Sequence, residues 1–205
     1  MKEKPILFST AMVKAIMSGN KTQTRRVIKS QPINPKWTGS IWCESENDDT
    51  MHFDLKCPYE IGQTLWVRET HVYNDNPDSR EFGKYEYRAD YEGALCQDLI
   101  TWKPSIFMPR KAARLFLKIT NIRVELVQDI SEEDIKKEGV ELCGLTVAIA
   151  EDKKGYPLNV NGKEITVWHV AFKELWDSIN KKRGYGWKTN PYVWVYDFEV
   201  INELP

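Results

Sequence analysis

The ten residues Tyr192–Ile201, YVWVYDFEVI, alternate aromatic and aliphatic side chains over a length that suits a β-strand and little else. A strand needs partners, and this chain offers them in scattered pieces. Ile6–Phe8 reads as a brief strand, and Gly62–Thr70 (GQTLWVRET) as a turn followed by a strand. Lys84–Asp90 alternates as a further strand. In Arg114–Thr120, Leu115, Leu117 and Ile119 fall on one face with period two, and Ile122–Val127 follows as another strand after a turn at Thr120–Asn121. Asn161–Gly162, flanked by Val160 and by Lys163–Ile165, predicts a hairpin.

About three helices separate these segments. Ser9 or Thr10 caps a helix with apolar Met12, Val13, Ile16 and Met17, and Gly19 suits its C′ stop. Ser131 with Asp134 has the form of a capping box, Glu132 and Glu133 suit the helix N-terminus, and Gly139 ends that helix. Val167–Asn180 is amphipathic. There is no repeating βαβ rhythm, no Gly-rich phosphate loop and no internal repeat. The expectation is α+β: one domain over residues 1–205, a mixed β-barrel with peripheral helices and insertions near 30–60 and 140–165. Residues 30–60, with Pro32, Pro35 and Pro58, read as irregular.

Composition narrows the function classes. Hydrophobic residues make up 41% and charged residues 29%, and no stretch approaches the ~20 apolar residues that cross a bilayer. The apolar run Ile6–Phe8 is too short for a signal peptide, so a cytoplasmic protein without membrane partners is expected. Cys43, Cys57, Cys96 and Cys143 form no C-x-x-C pair, and His52, His71 and His169 lie far apart; free thiols are expected, with no metal site and no cofactor.

A formal net charge of −1 excludes a general polyanion binder, but the charge is uneven. Residues 14–29 carry Lys14, Lys21, Arg25, Arg26 and Lys29 with no acid, and residues 102–118 carry Lys103, Arg110, Lys111, Arg114 and Lys118 with none. An acidic cluster over 44–54 compensates. Among the eight tryptophans, Trp37, Trp42, Trp102 and Trp187 have polar neighbours; most such aromatics are core, a minority are stacking surfaces for a base.

The stretch Ser18–Lys29, SGNKTQTRRVIK, concentrates the chemistry. A threonine hydroxyl is a poor nucleophile without a base in reach, and a desolvated lysine serves as one. Lys21 and Thr24 fit those roles if the chain bends between them; otherwise they are a solvated cation and a strand residue. Adjacent Arg25 and Arg26 point to opposite sides of an extended chain. Glu138 sits against the negative end of its helix dipole, where Lys136 and Lys137 are the expected types. A partly buried carboxylate so placed suits a general acid or base. Arg68 and Glu69 close the strand LWVRE, as a salt-bridged strand end or with Glu69 as a second pocket carboxylate. The two prolines of Trp102–Arg110 would position Ser105 and Arg110 beside a ligand. His169 reads as structural or surface.

Taken in order, ILFSTAMVKAIMSGNKTQTRRVI, GQTLWVRET, WKPSIFMPRKAARLFLKIT, ISEEDIKKEGV and LWDSIN with GWKTNPYVWVYDFEV resemble the phage and prophage branch of the ASCH-domain family. That resemblance implies a PUA-like barrel associated with RNA and modified nucleobases. More distantly, Gly19, Lys21, Thr22 and Thr24 match the G-x-K-T-x-T stretch of bacterial N4-acetylcytidine amidohydrolases, and Glu138 matches their glutamate by context. The resemblance then implies Lys21, Thr24 and Glu138 as catalytic and Arg25, Arg26, Arg68, Glu69, Ser105 and Arg110 as substrate-binding. The partner would be a small nucleoside, or single-stranded or modified RNA. The alternative is a non-catalytic RNA or modified-base reader, or a ribonuclease. The chain departs from the small enzymes in having Arg25-Arg26-Val27 in place of their I-R-D, and from the phage pattern S-I-H-M-P-R in having Phe107.

Overall fold

A computed structural model describes residues 2–32, 35–37, 42–45, 52–91, 97–142, 158–160 and 163–201. The elements in chain order are β1 (Lys4–Leu7), α1 (Thr10–Met17), β2 (Gln23–Val27), β3 (Pro35–Trp37), β4 (Trp42–Ser45), β5 (His52–Asp54), β6 (Thr64–Arg68), β7 (His71–Tyr73), β8 (Tyr85–Tyr87), α2 (Arg88–Tyr91), β9 (Phe116–Leu126), α3 (Glu132–Lys137), β10 (Leu158–Val160), β11 (Lys163–Ile165), α4 (Val167–Asn180) and β12 (Tyr192–Ile201). The architecture is mixed α+β. The chain divides into two compact units, Met1–Lys21 with Tyr59–Thr120 and Phe198–Pro205, and Thr22–Pro58 with Asn121–Asp197.

In the first unit the strand order is β1-β6-β9. β1 runs parallel to β6, with Ile6 opposite Val67, and β6 runs antiparallel to β9, with Leu65 opposite Leu117. These four side chains are buried, as are Val13 and Ile16 on α1. Ser9 caps α1 by accepting from the Met12 N–H at 3.4 Å, and Gly19 (φ +78°) takes the left-handed conformation that releases the chain from the helix. A hairpin of β7 and β8 continues directly into the one-turn helix α2, where alternation alone predicts strand to residue 90.

In the second unit β12 lies between β9 and β2 and runs antiparallel to β2, with Val195 opposite Arg25 and Tyr196 opposite Thr24. Helices α3 and α4 supply the apolar cover. Val127, Ile130, Ile135, Val140, Ala171, Phe172, Trp176, Val193 and Val195 form one buried cluster, with Val27 and Trp187 packed against it. Trp187 thus joins the core, edge-on to Phe172 at 6.0 Å. Residues 30–60 contain a three-stranded antiparallel meander, β3-β4-β5, where prolines and acids predict irregular chain. β10 and β11 pair as the Asn161–Gly162 hairpin requires, although the turn itself lies outside the described residues, as do Cys96, Cys143 and most of the 140–165 insertion.

The expected break at Thr120–Asn121 is absent, and β9 runs unbroken for eleven residues. Lys118, Thr120 and Asn121 are exposed there, and the Asn121 amide donates to Asp197 at 3.1 Å instead of turning the chain. His169 is structural: its Nδ1 meets the Thr166 cap and its Nε2 the Ile130 carbonyl at 3.1 Å. No helix among the described residues is long and apolar enough to cross a membrane.

Ile135 is fully buried in the second unit's core. Ile135→Ala is expected to destabilise the protein by about 2–5 kcal/mol, read as a lower urea midpoint with an unchanged slope.

Candidate functional site

Thr24, Arg25, Arg26 and Glu138 fall in the second unit, and Arg25 and Glu138 are brought together there. Strand β2 begins at Gln23, so period two sends Gln23 and Arg25 to one face and Thr24 and Arg26 to the other. On the first face the Arg25 guanidinium, with 1% of its side chain exposed, meets three carboxylates. Nη1 lies 3.1 Å from Glu138 Oε1, and Nη2 lies 3.0 Å from Glu125 and 3.2 Å from Asp134. Nη1 also donates to Gln23 Oε1. Arg25 Nε–H is the one buried side-chain donor among the described residues with no hydrogen-bond partner.

A second guanidinium extends the cluster. Arg123 binds Glu125 through Nε, Asp197 at 2.8 Å through Nη1 and Asp134 at 2.8 Å through Nη2. Gln23 donates to Asp197 at 2.6 Å and to Asp134 at 3.2 Å. Two arginines therefore sit among four carboxylates. Burial pushes the Asp134 carboxyl up, but the charges of Arg25 and Arg123 and the Gln23 hydrogen bond outweigh it and hold it below the usual carboxylate range. Ser131 caps α3 through the Asp134 N–H at 3.1 Å as predicted, while the Asp134 side chain turns to the arginines.

Glu138 is the C-cap residue of α3, and Gly139 (φ +73°) follows as the stop. It is 6% exposed. Beside it, the Thr22 N–H donates to the Lys137 carbonyl at 2.9 Å. Thr24 is 1% exposed and pairs with Tyr196 on β12. Arg26 is half-buried opposite Trp194.

Lys21, Arg68, Glu69, Ser105 and Arg110 belong to the first unit. Lys21 is buried, its N–H donating to Ala15 at 2.9 Å and its ammonium 5.9 Å from the Phe8 ring centre. Glu69 is buried and held by both oxygens on Arg114, at 2.9 and 3.0 Å, while Arg114 also grips Asp90 and lies 4.0 Å over Tyr87. Burial pushes the Glu69 carboxyl up, and Arg114 pulls it partly back. This is the salt-bridged strand end. Arg68 donates to the carbonyls of Met108 (3.2 Å) and Ile106 and stacks on Trp66, which fixes the turn Ser105–Phe107. Arg110 is paired with Glu3 at 2.6 Å and covers Phe116.

The sequence reading missed Gln23, Arg123, Glu125, Asp134 and Asp197 as members of one cluster. A signal was present: Arg123 and Glu125 are two apart between the apolar Ile122, Val124 and Leu126, and Gln23 and Arg25 are likewise two apart. Among the described residues no group of histidine, cysteine and carboxylate side chains is arranged to hold a metal ion.

No protein-family model matches the chain, and no curated protein does. Among solved structures it is similar to the crystal structure of an ASCH domain from Lactobacillus crispatus JV V101, at 13% identity over 97% of this chain and 79% of that one, with a TM-score of 0.41.

The depressed Asp134 carboxyl makes the cluster acid-labile. Its folded value lies below its unfolded value of 3.8, so its contribution to stability is present above that pH and is lost as pH falls through the folded value. Asp134→Asn is expected to destabilise the protein at pH 7 and to lose most of that effect at the acid end of a urea-unfolding series. A mutant effect independent of pH would contradict the ion pairing.

Proposed function

We propose that this chain is an ASCH-type, PUA-like protein of the phage or prophage kind that takes a nucleobase or nucleoside, and that it hydrolyses the amide of an N4-acylated cytidine. The observation that carries the reading is the burial of Lys21 and Thr24, each 1% exposed and three residues apart in the chain. Lysine is rarely fully buried, and a buried lysine three residues from a buried threonine suits groups kept from water for chemistry.

The roles follow from the chemistry. Thr24 Oγ attacks the acyl carbonyl while its proton passes to the amine form of Lys21, three residues upstream in the G-x-K-T-x-T motif. The C–N4 bond breaks, the exocyclic nitrogen takes that proton back, and cytidine leaves an acyl-threonine ester. Water then attacks the ester carbonyl, its proton passing to the Lys21 amine and on to Thr24 Oγ as the free acid departs, while Glu138, on the Arg25 face of β2, is given no step. Arg26, on the Thr24 face of β2, steadies the oxyanion. Arg25 is committed to its three carboxylates and is not assigned that task. Two arginines among four carboxylates leave no surplus positive charge in the cluster, which favours an uncharged nucleoside over a polyanion.

A second reading, an RNA or modified-base reader without catalysis, has its own support in the first unit. Phe107 is 70% exposed on a turn between prolines, and exposed Lys103 and Lys111 lie in the same acid-free segment. An aromatic face with cations beside it is the ordinary equipment for single-stranded nucleic acid.

Purified protein is expected to convert N4-acetylcytidine to cytidine and acetate by chromatography. Thr24→Ala and Lys21→Ala are each expected to remove that turnover while leaving the unfolding midpoint within reach of assay conditions. Absent turnover, combined with RNA binding that weakens steeply with salt and with Phe107→Ala, would establish the second reading instead.

A further inference from the structure

The segment Trp102–Arg110 is fastened to the rest of the first unit by joints of different kinds. Arg68 grips the carbonyls of Met108, at 3.2 Å, and of Ile106, and the sulfur of buried Met108 accepts from the Glu69 N–H at 3.1 Å. Trp102 lies against Tyr91, ring centres 5.5 Å apart. Between these, Lys103 meets β7 at an isolated pair. The His71 N–H donates to the Lys103 carbonyl at 3.2 Å, and the Lys103 N–H donates to the His71 carbonyl at 2.8 Å. A bridge without neighbouring rungs opens locally, with no ladder to disturb.

A titratable ring sits inside this joint. His71 is 2% exposed, and its Nδ1 lies 3.2 Å from the Glu69 carbonyl. A carbonyl only accepts, so Nδ1 of the neutral imidazole carries the proton and a second proton has to arrive at Nε2. That proton enters a cationic setting. Residues paired across two antiparallel strands share a face, and like charges directly opposite destabilise the pair, which is the position of Lys103. Burial first, then the charges of Lys103 and Arg68, hold the imidazole below its usual 6.5, against the pull of the Glu69 carbonyl. The nearby carboxylates are engaged elsewhere. Glu69 is held on both oxygens by Arg114, which also holds Asp90, and Glu86 pairs with Val72 and so lies on the other face of β8. From β8 the ring meets Tyr87, its pairing partner, and Tyr85 at 6.0 Å.

We propose that the His71–Lys103 pair is an acid-operated latch: a proton on His71 sets two cations opposite each other across a lone bridge, and Lys103 parts from β7. The chain leading into the Ser105–Phe107 turn then loses its hold on β7, while Arg68 keeps the turn itself. Ile106 and Phe107, 56% and 70% exposed, are what that turn presents. The latch lies within the first unit and is independent of the reaction proposed at Thr24. Its direction follows from linkage. The open form titrates near the ordinary 6.5 and the closed form below it, so the closed form loses population as pH falls from 6.5 to the closed value, and the loss levels off beneath that.

The experiment is residue-resolved amide hydrogen exchange on the full chain from about pH 7.5 to about pH 4.5, with an NMR titration of the His71 ring on the same samples. After correction for intrinsic rates, protection at the Lys103 and His71 N–H groups is expected to fall by up to about tenfold per pH unit below 6.5, the limit for one proton. The Val67 N–H, bonded to the Leu115 carbonyl at 3.0 Å, is expected to keep its protection over the same range. His71→Phe is expected to abolish the pH dependence at Lys103. Lys103→Met, at an exposed position, is expected to shrink it and to raise the His71 titration toward 6.5. If His71→Phe fails to fold, Lys103→Met carries the test alone. Protection at Lys103 that ignores pH, that falls in step with Val67, or that falls equally in Lys103→Met would overturn the latch. So would a His71 ring that titrates at or above 6.5.

Discussion

A guanidinium buried among three carboxylates organises the second unit. A charge removed from water costs several kcal/mol, and only close, well-oriented counter-charges offset it. Arg25 finds them on three different stretches of chain: Glu125 on β9, Asp134 in the first turn of α3 and Glu138 at its end. Each partner is then constrained in turn, since Asp134 and Glu125 also bind Arg123, and Arg123 binds Asp197 on β12. Deleting Arg25 would leave three carboxylates facing one another, a loss on the order of 3–5 kcal/mol for a broken buried pair. The apolar cluster under α3 and α4 provides the bulk of the cohesion, being non-directional. The ion network fixes which way α3 lies on the strands, because only one placement puts both its ends within reach of Arg25.

The first unit uses arginine in the same internal way but with smaller stakes. Arg114 ties the end of β6 to α2 through Glu69 and Asp90, Arg110 ties the Arg110–Ala112 turn to Glu3, and Arg68 ties the turn at Ser105–Phe107 to its own strand through two backbone carbonyls. Arg110 and Glu3 are each about a third exposed, so that pair is screened and weak. Glu69, by contrast, is buried and answered on both oxygens. The acid-free run from 102 to 118 is therefore less positive in the fold than on paper. Its two arginines are neutralised, and its three lysines remain at the surface.

These cases mark where sequence reading works. α1, α3 and α4 were legible because caps and glycine stops are local: Ser9, Ser131, Gly19 and Gly139 act within a few residues. β12 was legible from its own alternation, to the residue. The meander at 35–54 was not, because prolines and acids argue against strands that short edges tolerate. The run through Thr120–Asn121 was not, because a turn-forming pair is overruled when its asparagine finds a partner across the sheet. In the site, Thr24 and Glu138 could be singled out by type and context. The identity of Arg25's three carboxylate partners could not, since they lie 100 to 113 residues away and nothing local names them.

The same cluster gives a physical account of the departure at Arg25-Arg26-Val27. Where the small amidohydrolases continue I-R-D, this chain has an arginine in place of the isoleucine and a valine in place of the aspartate. The two changes are complementary in this fold. Position 25 faces Glu125, Asp134 and Glu138, a site where isoleucine would take a cation from all three and leave Arg123 to Glu125 and Asp134 alone. Position 27 is half-buried against the apolar cluster of Val127, Phe172 and Val193, where an aspartate would be desolvated without a partner. Arg26 keeps both its residue type and its place on the Thr24 face of the strand. So the departure removes a negative charge at the end of β2 and adds a positive one in its middle, on the face that holds Glu138. The face that carries Thr24 and Arg26 is left as the motif has it.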